Sequence, residues 1–139
     1  MFSKTTEYAL RATIYIAQKS SASNKLGIEE IALAIGSPKS FTAKILQVLT
    51  QKSKILSSVP GPNGGFYISD EAKKLPVKCV LEAMEEAYVL DKCVLGLKQC
   101  SEIQPCPLHA QYKNIRRKIN DLFNSKSIQH LANEINFLK

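Results

Sequence analysis

The sequence predicts a mainly α protein with a small β-wing: a winged helix-turn-helix domain plus a long dimerisation helix. Three observations predict it. Two short amphipathic segments, Ile28 to Ile35 and Ser37 to about Lys52, are joined through Gly36, the pattern of a helix-turn-helix. Two short apolar runs, Lys54 to Val59 and Phe66 to Ser69, meet directly afterwards around Asn63-Gly64-Gly65, which signals a hairpin. Further on, Leu108, Tyr112, Ile115, Ile119 and Leu122 recur at 4-3-4-3 spacing, the heptad rhythm of a helix that packs on a partner helix.

The elements follow in order. Ser3 is placed to cap a first helix, with Glu7 in its first turn and Tyr8, Ala9, Ala12 and Ile16 at helical spacing. The helix over Ile28 to Ile35 ends at Gly36, where a C-terminal glycine belongs. Ser37 caps the next helix, with Pro38 at its first position and Phe41, Ile45, Leu46 and Leu49 facing inward. Leu75 to Glu86 reads as a helix with Val77, Val80, Leu81 and Met84 on its core face, and residues 88–105 as irregular. Cys106-Pro107 opens the long helix. Ser127 caps a last one, with Ile128, Leu131, Ile135 and Leu138 inside. The expected organisation is a winged domain over residues 1–87, a cysteine-containing loop over 88–106, and a dimerisation helix with a C-terminal helix over 107–139.

A chain of 139 residues has the size of one domain, or of a small domain with an oligomerisation arm. It contains no long uncharged apolar run, so no membrane partner is expected, and the opening residues lack a signal-peptide pattern, so a cytoplasmic location is expected. The net charge of +7 suits nucleic acid, and its distribution says more. From Gly36 to Ser69 there is no Asp or Glu, while Lys39, Lys44, Lys52 and Lys54 are present.

That acid-free stretch coincides with the helix-turn-helix and the wing. The second helix would enter the major groove of double-stranded DNA with Lys39, Ser40, Phe41, Thr42 and Lys44 toward base edges and phosphates. Asn63, Gly64 and Gly65 at the wing tip would leave backbone open to close approach by phosphate. The plainer reading is a hairpin that only closes the core. The charge asymmetry favours DNA. A long helix following a complete winged domain has little else to pack on than a second copy, and a symmetric dimer suits a palindromic operator.

Cys93, Cys100, Cys106 and His109 form a C-x6-C-x5-C-x2-H pattern. Three thiolates and an imidazole can hold zinc in a closed tetrahedral site, or an iron–sulfur cluster. The spacing exceeds the C-x2-4-C usual for structural zinc and favours the cluster; the plainest reading is unrelated reduced thiols and a surface histidine. Cys79 lies in an apolar helical pattern and reads as a small buried hydrophobe. His130 reads as exposed and without a partner. No substrate-binding motif or second redox centre is visible, so no enzyme is expected.

Four stretches give the chain a family resemblance: Ser3-Lys4-Thr5-Thr6-Glu7-Tyr8-Ala9-Leu10-Arg11, Ile45 to Leu49, the wing Ser57 to Phe66, and the three cysteines ahead of the long helix. It resembles the IscR/NsrR-type winged-helix repressors of bacteria, over nearly its whole length. The resemblance implies a homodimer in which the long helices pair and each loop lies near the other copy's DNA-binding domain. It implies that Cys93, Cys100 and Cys106 ligate an iron–sulfur cluster. His109 matches the histidine that completes a 2Fe–2S site in the cluster-biogenesis regulators. Glu7 falls where some nitric-oxide sensors, which carry 4Fe–4S, offer an acidic ligand from the partner subunit. The expectation is 2Fe–2S with His109, or 4Fe–4S with Glu7, controlling operator binding; a zinc-stabilised or thiol-switch regulator without a cluster is the alternative. Two departures stand out: Cys93 to Cys100 is one residue longer than the commoner C-x5-C, and Pro60 replaces a wing arginine of the biogenesis regulators.

Overall fold

The computed structural model describes residues 1–98 and 102–135. Helix α1, Lys4–Lys19, starts where Ser3 predicts: the Ser3 hydroxyl accepts the Thr6 N–H at 3.2 Å. Ala9, Ala12 and Ile16 are completely buried along its inner face. Helix α2, Ile28–Ile35, has the expected bounds. Gly36 closes it at φ +68 and passes the chain on through a Ser37 N–H to Ala32 C=O bond of 3.0 Å, the left-handed cap that glycine adopts without strain.

Helix α3, Lys39–Gln47, begins one residue later than expected. Pro38 has an extended ψ of 144 and is itself the cap, so Ser37 is buried before the helix and makes no capping bond. The expected length to Lys52 holds only because a π-helical turn, Val48–Lys52, continues the helix. Ile45, Leu46 and Leu49 are buried, but Phe41 turns outward and is 41% exposed. It leans edge-on against Tyr8 of α1 instead.

The wing is real but shorter than the apolar runs suggest. Strands β1, Ser57–Val59, and β2, Gly65–Tyr67, pair antiparallel with Ser58 opposite Phe66. Ile55 and Leu56 are spent on the core, and the Leu56 N–H goes to Leu49 C=O at 3.1 Å rather than to a strand neighbour. Leu26 exchanges two backbone bonds with Phe66, of 2.9 and 2.8 Å, and ties the wing's inner strand to the helical body.

Between Leu75 and Glu86 the helix is shorter than expected. A 3₁₀ turn spans Ala72–Lys74, and α4 covers only Lys78–Ala83. The Leu75–Val77 backbone is occupied by a bridge to the start of the last helix: Val77 N–H to Lys126 C=O and Ile128 N–H to Leu75 C=O, both 2.9 Å. Glu85 at φ +59 turns the chain out of α4. A second 3₁₀ turn, Ala87–Leu90, leads to Cys93.

Helix α5 is His109–Ser125 and α6 is Ile128–Glu134. Ser127 caps α6 as expected. His130 is exposed as expected, yet it has a partner, because its Nδ1 accepts the Ser127 N–H at 3.2 Å in a capping box. Ile128 and Ala132 of α6 join the α1–α3 core, while Ile135 lies beyond the helix end and is exposed. Leu138 lies outside the described residues. Helix α5 buries only His109 and meets the body through contacts such as the edge-on Phe2–Phe123 pair, 5.6 Å between centroids. Among the described residues no helix is long and apolar enough to cross a membrane.

Candidate nucleic-acid interface and thiol site

The exposed side of α3 carries Lys39, Ser40, Phe41 and Lys44 together. Thr42 does not join them. It is completely buried, and its hydroxyl donates to Pro38 C=O at 2.9 Å, so it fixes the start of the helix rather than facing outward. Lys39 pairs with Glu29 of α2 at 2.8 Å in an exposed ion pair, and its charge holds the Glu29 carboxyl below the ordinary glutamate value through a hydrogen bond and direct attraction. Such a pair is weak and yields readily to a phosphate.

At the wing tip Asn63 is exposed, while Gly64 and Gly65 are half-buried and structurally constrained. A Cβ on Gly64 would lie 1.9 Å from the Val59 carbonyl oxygen. Gly65 has φ +145, and a Cβ there would lie 2.6 Å from the Leu26 carbonyl oxygen. Both glycines permit the hairpin to close; Asn63 is what it presents.

Beside α3, α1 adds a group that the sequence reading passed over. The Tyr8 ring meets Phe41 at 6.1 Å between centroids and 72° between planes. The Arg11 guanidinium lies 5.0 Å and the Lys4 ammonium 5.7 Å from the centre of the same ring. Lys4, Tyr8 and Arg11 follow at four and three residues on one helix face, so the signal was present as spacing.

The structure brings Cys93 and Cys106 together. Their sulfurs are 3.7 Å apart across the loop. Cys93 is buried, and its thiol is held below the ordinary cysteine value. Backbone N–H groups of Leu95 and Leu97, then the Cys106 thiol and the Gly96 N–H, stabilise the thiolate and outweigh burial. His109 opens α5, buried, with its N–H on Cys106 C=O at 3.0 Å. Cys100 lies outside the described residues. Glu7 is exposed on α1. Among the described residues no group of three histidine, cysteine or carboxylate side chains is assembled to hold a metal ion. Cys79 is half-buried against the core, and burial followed by the nearby Glu82 charge raises its thiol.

Two residues before Cys93, the chain is anchored to α5. Arg116 donates to Asp91 C=O and Asn120 to the Asp91 carboxylate, each at 3.2 Å.

The family model for Rrf2, described as an iron-dependent transcriptional regulator, matches residues 2–134. A chain of Aquifex aeolicus (strain VF5), named as an HTH-type transcriptional regulator, is 33% identical over 135 residues, covering 96% of this chain and 92% of that one. The HTH-type transcriptional regulator IscR of Erwinia tasmaniensis is 28% identical over 83 residues, 60% of this chain and half of that relative's length. In fold, the chain is similar to CymR, the global cysteine regulator of B. subtilis, with a TM-score of 0.80 at 15% identity over 98% of each chain. With nearly its whole length matched, and its helix-turn-helix and wing in place, the chain belongs to the Rrf2 family of DNA-binding transcriptional regulators, not to an enzyme family.

Proposed function

We propose that the chain is a homodimeric regulator of a palindromic operator, its DNA binding controlled by an iron–sulfur cluster on Cys93, Cys100, Cys106 and His109. Glu7 of the partner subunit is the alternative fourth ligand. The observation that carries this is the 3.7 Å separation of the Cys93 and Cys106 sulfurs. Two thiolates on one tetrahedral metal, at bonds of about 2.3 Å, are about 3.8 Å apart, so the pair suits two corners of such a site. The cluster, when bound, supplies a centre sensitive to redox state, nitric oxide or cluster supply.

The chain's own residues supply the rest. Backbone N–H groups of Leu95 and Leu97 lower the pKa of the Cys93 thiol and so favour its thiolate. Asp91 ties that loop to Arg116 and Asn120 of α5. Leu108, the residue before α5, and Ile115 and Leu122 on it are exposed apolar side chains, which supports pairing with a second copy. At the other end of the 3₁₀ turn, Glu86 binds Ser3 and Thr6 of α1, and α1 packs against α3. Order in the loop is thereby linked to the placing of α3, Asn63 and the wing on DNA. A shift in the balance of two such arrangements of about 1.4 kcal/mol changes affinity roughly tenfold.

Anaerobic purification tests the reading. Brown protein containing iron and sulfide, whose affinity for duplex DNA changes when the cluster is removed, is the expected result. A second reading rests on the same thiol pair: a zinc-stabilised or thiol-switch regulator. Colourless protein, with or without stoichiometric zinc, would favour it and sink the cluster.

A further inference from the structure

We propose that Lys4, Tyr8 and Arg11 of α1 form a phosphate-binding strip that continues the α3 surface and grips the DNA backbone at the edge of the major groove. The proposal rests on the DNA-binding reading and adds to it a second helix whose contribution is independent of base sequence.

The strip is built around one ring. Tyr8 sits edge-on to Phe41, the exposed aromatic in the first turn of α3. Phe41 thus makes α1 continuous with the surface that carries Lys39, Ser40 and Lys44. On the ring of Tyr8 two cations gather: the Arg11 guanidinium at 5.0 Å and the Lys4 ammonium at 5.7 Å. Two like charges drawn to one aromatic ring repel each other, and a shared anion relieves that repulsion. Among the described residues no ion pair joins Glu7, the acidic neighbour on the same helix, to either of them.

Arg11 is also held in place. It donates one hydrogen bond to Ile35 C=O, at 3.3 Å, at the end of α2 just before the Gly36 turn. A guanidinium carries five N–H donors in a planar fork, so stacking on Tyr8 and one bond to Ile35 leave its geometry suited to a phosphate at little further entropic cost. Arg11 therefore touches α1, the helix-turn-helix turn and, through Tyr8, the first turn of α3. These elements determine how the recognition helix meets the groove.

The test uses the whole 139-residue chain and an arbitrary duplex roughly three helical turns long, with affinity followed by fluorescence anisotropy over a salt series. Lys4→Gln and Arg11→Gln are each expected to weaken binding about three- to tenfold and to lower the slope of log affinity against log salt by about 0.9, one phosphate contact. Tyr8→Leu should reproduce the weakening, and Tyr8→Phe, which keeps the ring, should restore it. Should Arg11→Gln melt early through loss of its Ile35 bond, Lys4→Gln decides, because Lys4 is exposed at the start of α1. Unchanged affinity and slope in Lys4→Gln, while the parent binds, overturns the strip and leaves the DNA reading intact. A loss confined to a selected operator, with the arbitrary duplex unaffected, overturns it as well. A parent protein that binds no duplex sinks both.

Discussion

The Glu86 carboxylate accepts the Ser3 hydroxyl at 2.5 Å and the Ser3 N–H at 3.1 Å, capping α1 from the far end of the winged domain. The Thr6 hydroxyl donates to the same carboxylate. Burial opposes ionisation of Glu86, but the bonds from Ser3 and Thr6 and the nearby chain amine prevail and lower its pKa below the ordinary 4.5. A carboxylate depressed on folding stabilises the fold above its unfolded value and loses that contribution as pH falls through the folded one. Glu86→Gln should therefore cost about 1–2 kcal/mol at neutral pH, and the gap between parent and variant should close as pH drops below 4.5. Denaturant melts across pH check this; a gap that persists under acid would place the effect in shape rather than charge. Comparison with the variant cancels Glu29 and Glu85, which are also held low by Lys39 and Lys52.

The thiols divide by environment. Cys93 is buried beside Cys106 with its thiolate stabilised, whereas the Cys79 thiol is raised by burial and by Glu82. On the proposed cluster reading, Cys93→Ala or Cys106→Ala should abolish iron retention and visible absorption, and Cys79→Ala should leave both unchanged. Iron and sulfide assays with absorption spectra of anaerobically prepared variants decide it. His109→Ala with an unchanged spectrum would move the fourth ligand to the partner subunit's Glu7.

Local signals were legible in the sequence where one residue type does one job. Ser3, Gly36 and Ser127 end their helices as their chemistry requires, and α2 has the bounds its apolar spacing implies. Legibility failed where tertiary structure competes for the backbone. Leu56 gives its N–H to Leu49 rather than to the hairpin, and Leu75 and Val77 bond to Ile128 and Lys126 at the start of α6, which shortens both β1 and α4. Side-chain direction was hidden too: Phe41 and Thr42 are neighbours, yet Thr42 is buried by its bond to Pro38 while Phe41 faces Tyr8. Cys93 and Cys106 belong to the cysteine pattern and lie 3.7 Å apart; the anchoring of Asp91 to Asn120 is a contact between elements far apart in sequence, which no local pattern records.

Helix α5 should answer to charge on its exposed stripe. Ile115 and Leu122 are each 52% exposed, and a symmetric interface counts each substitution twice. In the proposed dimer, Ile115→Glu or Leu122→Glu should raise the dissociation constant about 30-fold or more, from roughly 1–2 kcal/mol of lost burial per chain. Sedimentation velocity reads this directly, with little change in helix content, since α5 contributes only His109 to the buried residues.

Lys39 is held by Glu29 across the helix-turn-helix. Glu29→Gln releases that charge and removes an anion near the expected phosphates, so affinity for any duplex should rise a few-fold, most clearly at low salt. Lys39→Gln should weaken binding. A double variant that behaves like Lys39→Gln alone would show that Glu29 acts through Lys39; weaker binding by Glu29→Gln would exclude that role.

The wing offers a sharper separation of folding from binding. Gly64 and Gly65 are adjacent but constrained by different neighbours. A Cβ on Gly64 strikes the Val59 and Pro60 carbonyl oxygens, at 1.9 and 2.8 Å, within the wing itself. A Cβ on Gly65 strikes Leu26 C=O at 2.6 Å, from a φ of +145, and Leu26 is the residue that ties β2 to the helical body. Gly65→Ala should therefore lower global stability by about 1–3 kcal/mol. Gly64→Ala should deform the hairpin tip and leave the core melt nearly unchanged. If Asn63 and the tip touch DNA, Gly64→Ala should weaken binding about tenfold with a small shift in Tm, and Asn63→Ala should weaken it with none. Equal affinity in Gly64→Ala and parent would remove the wing tip from the interface and leave α3 to bind DNA without it.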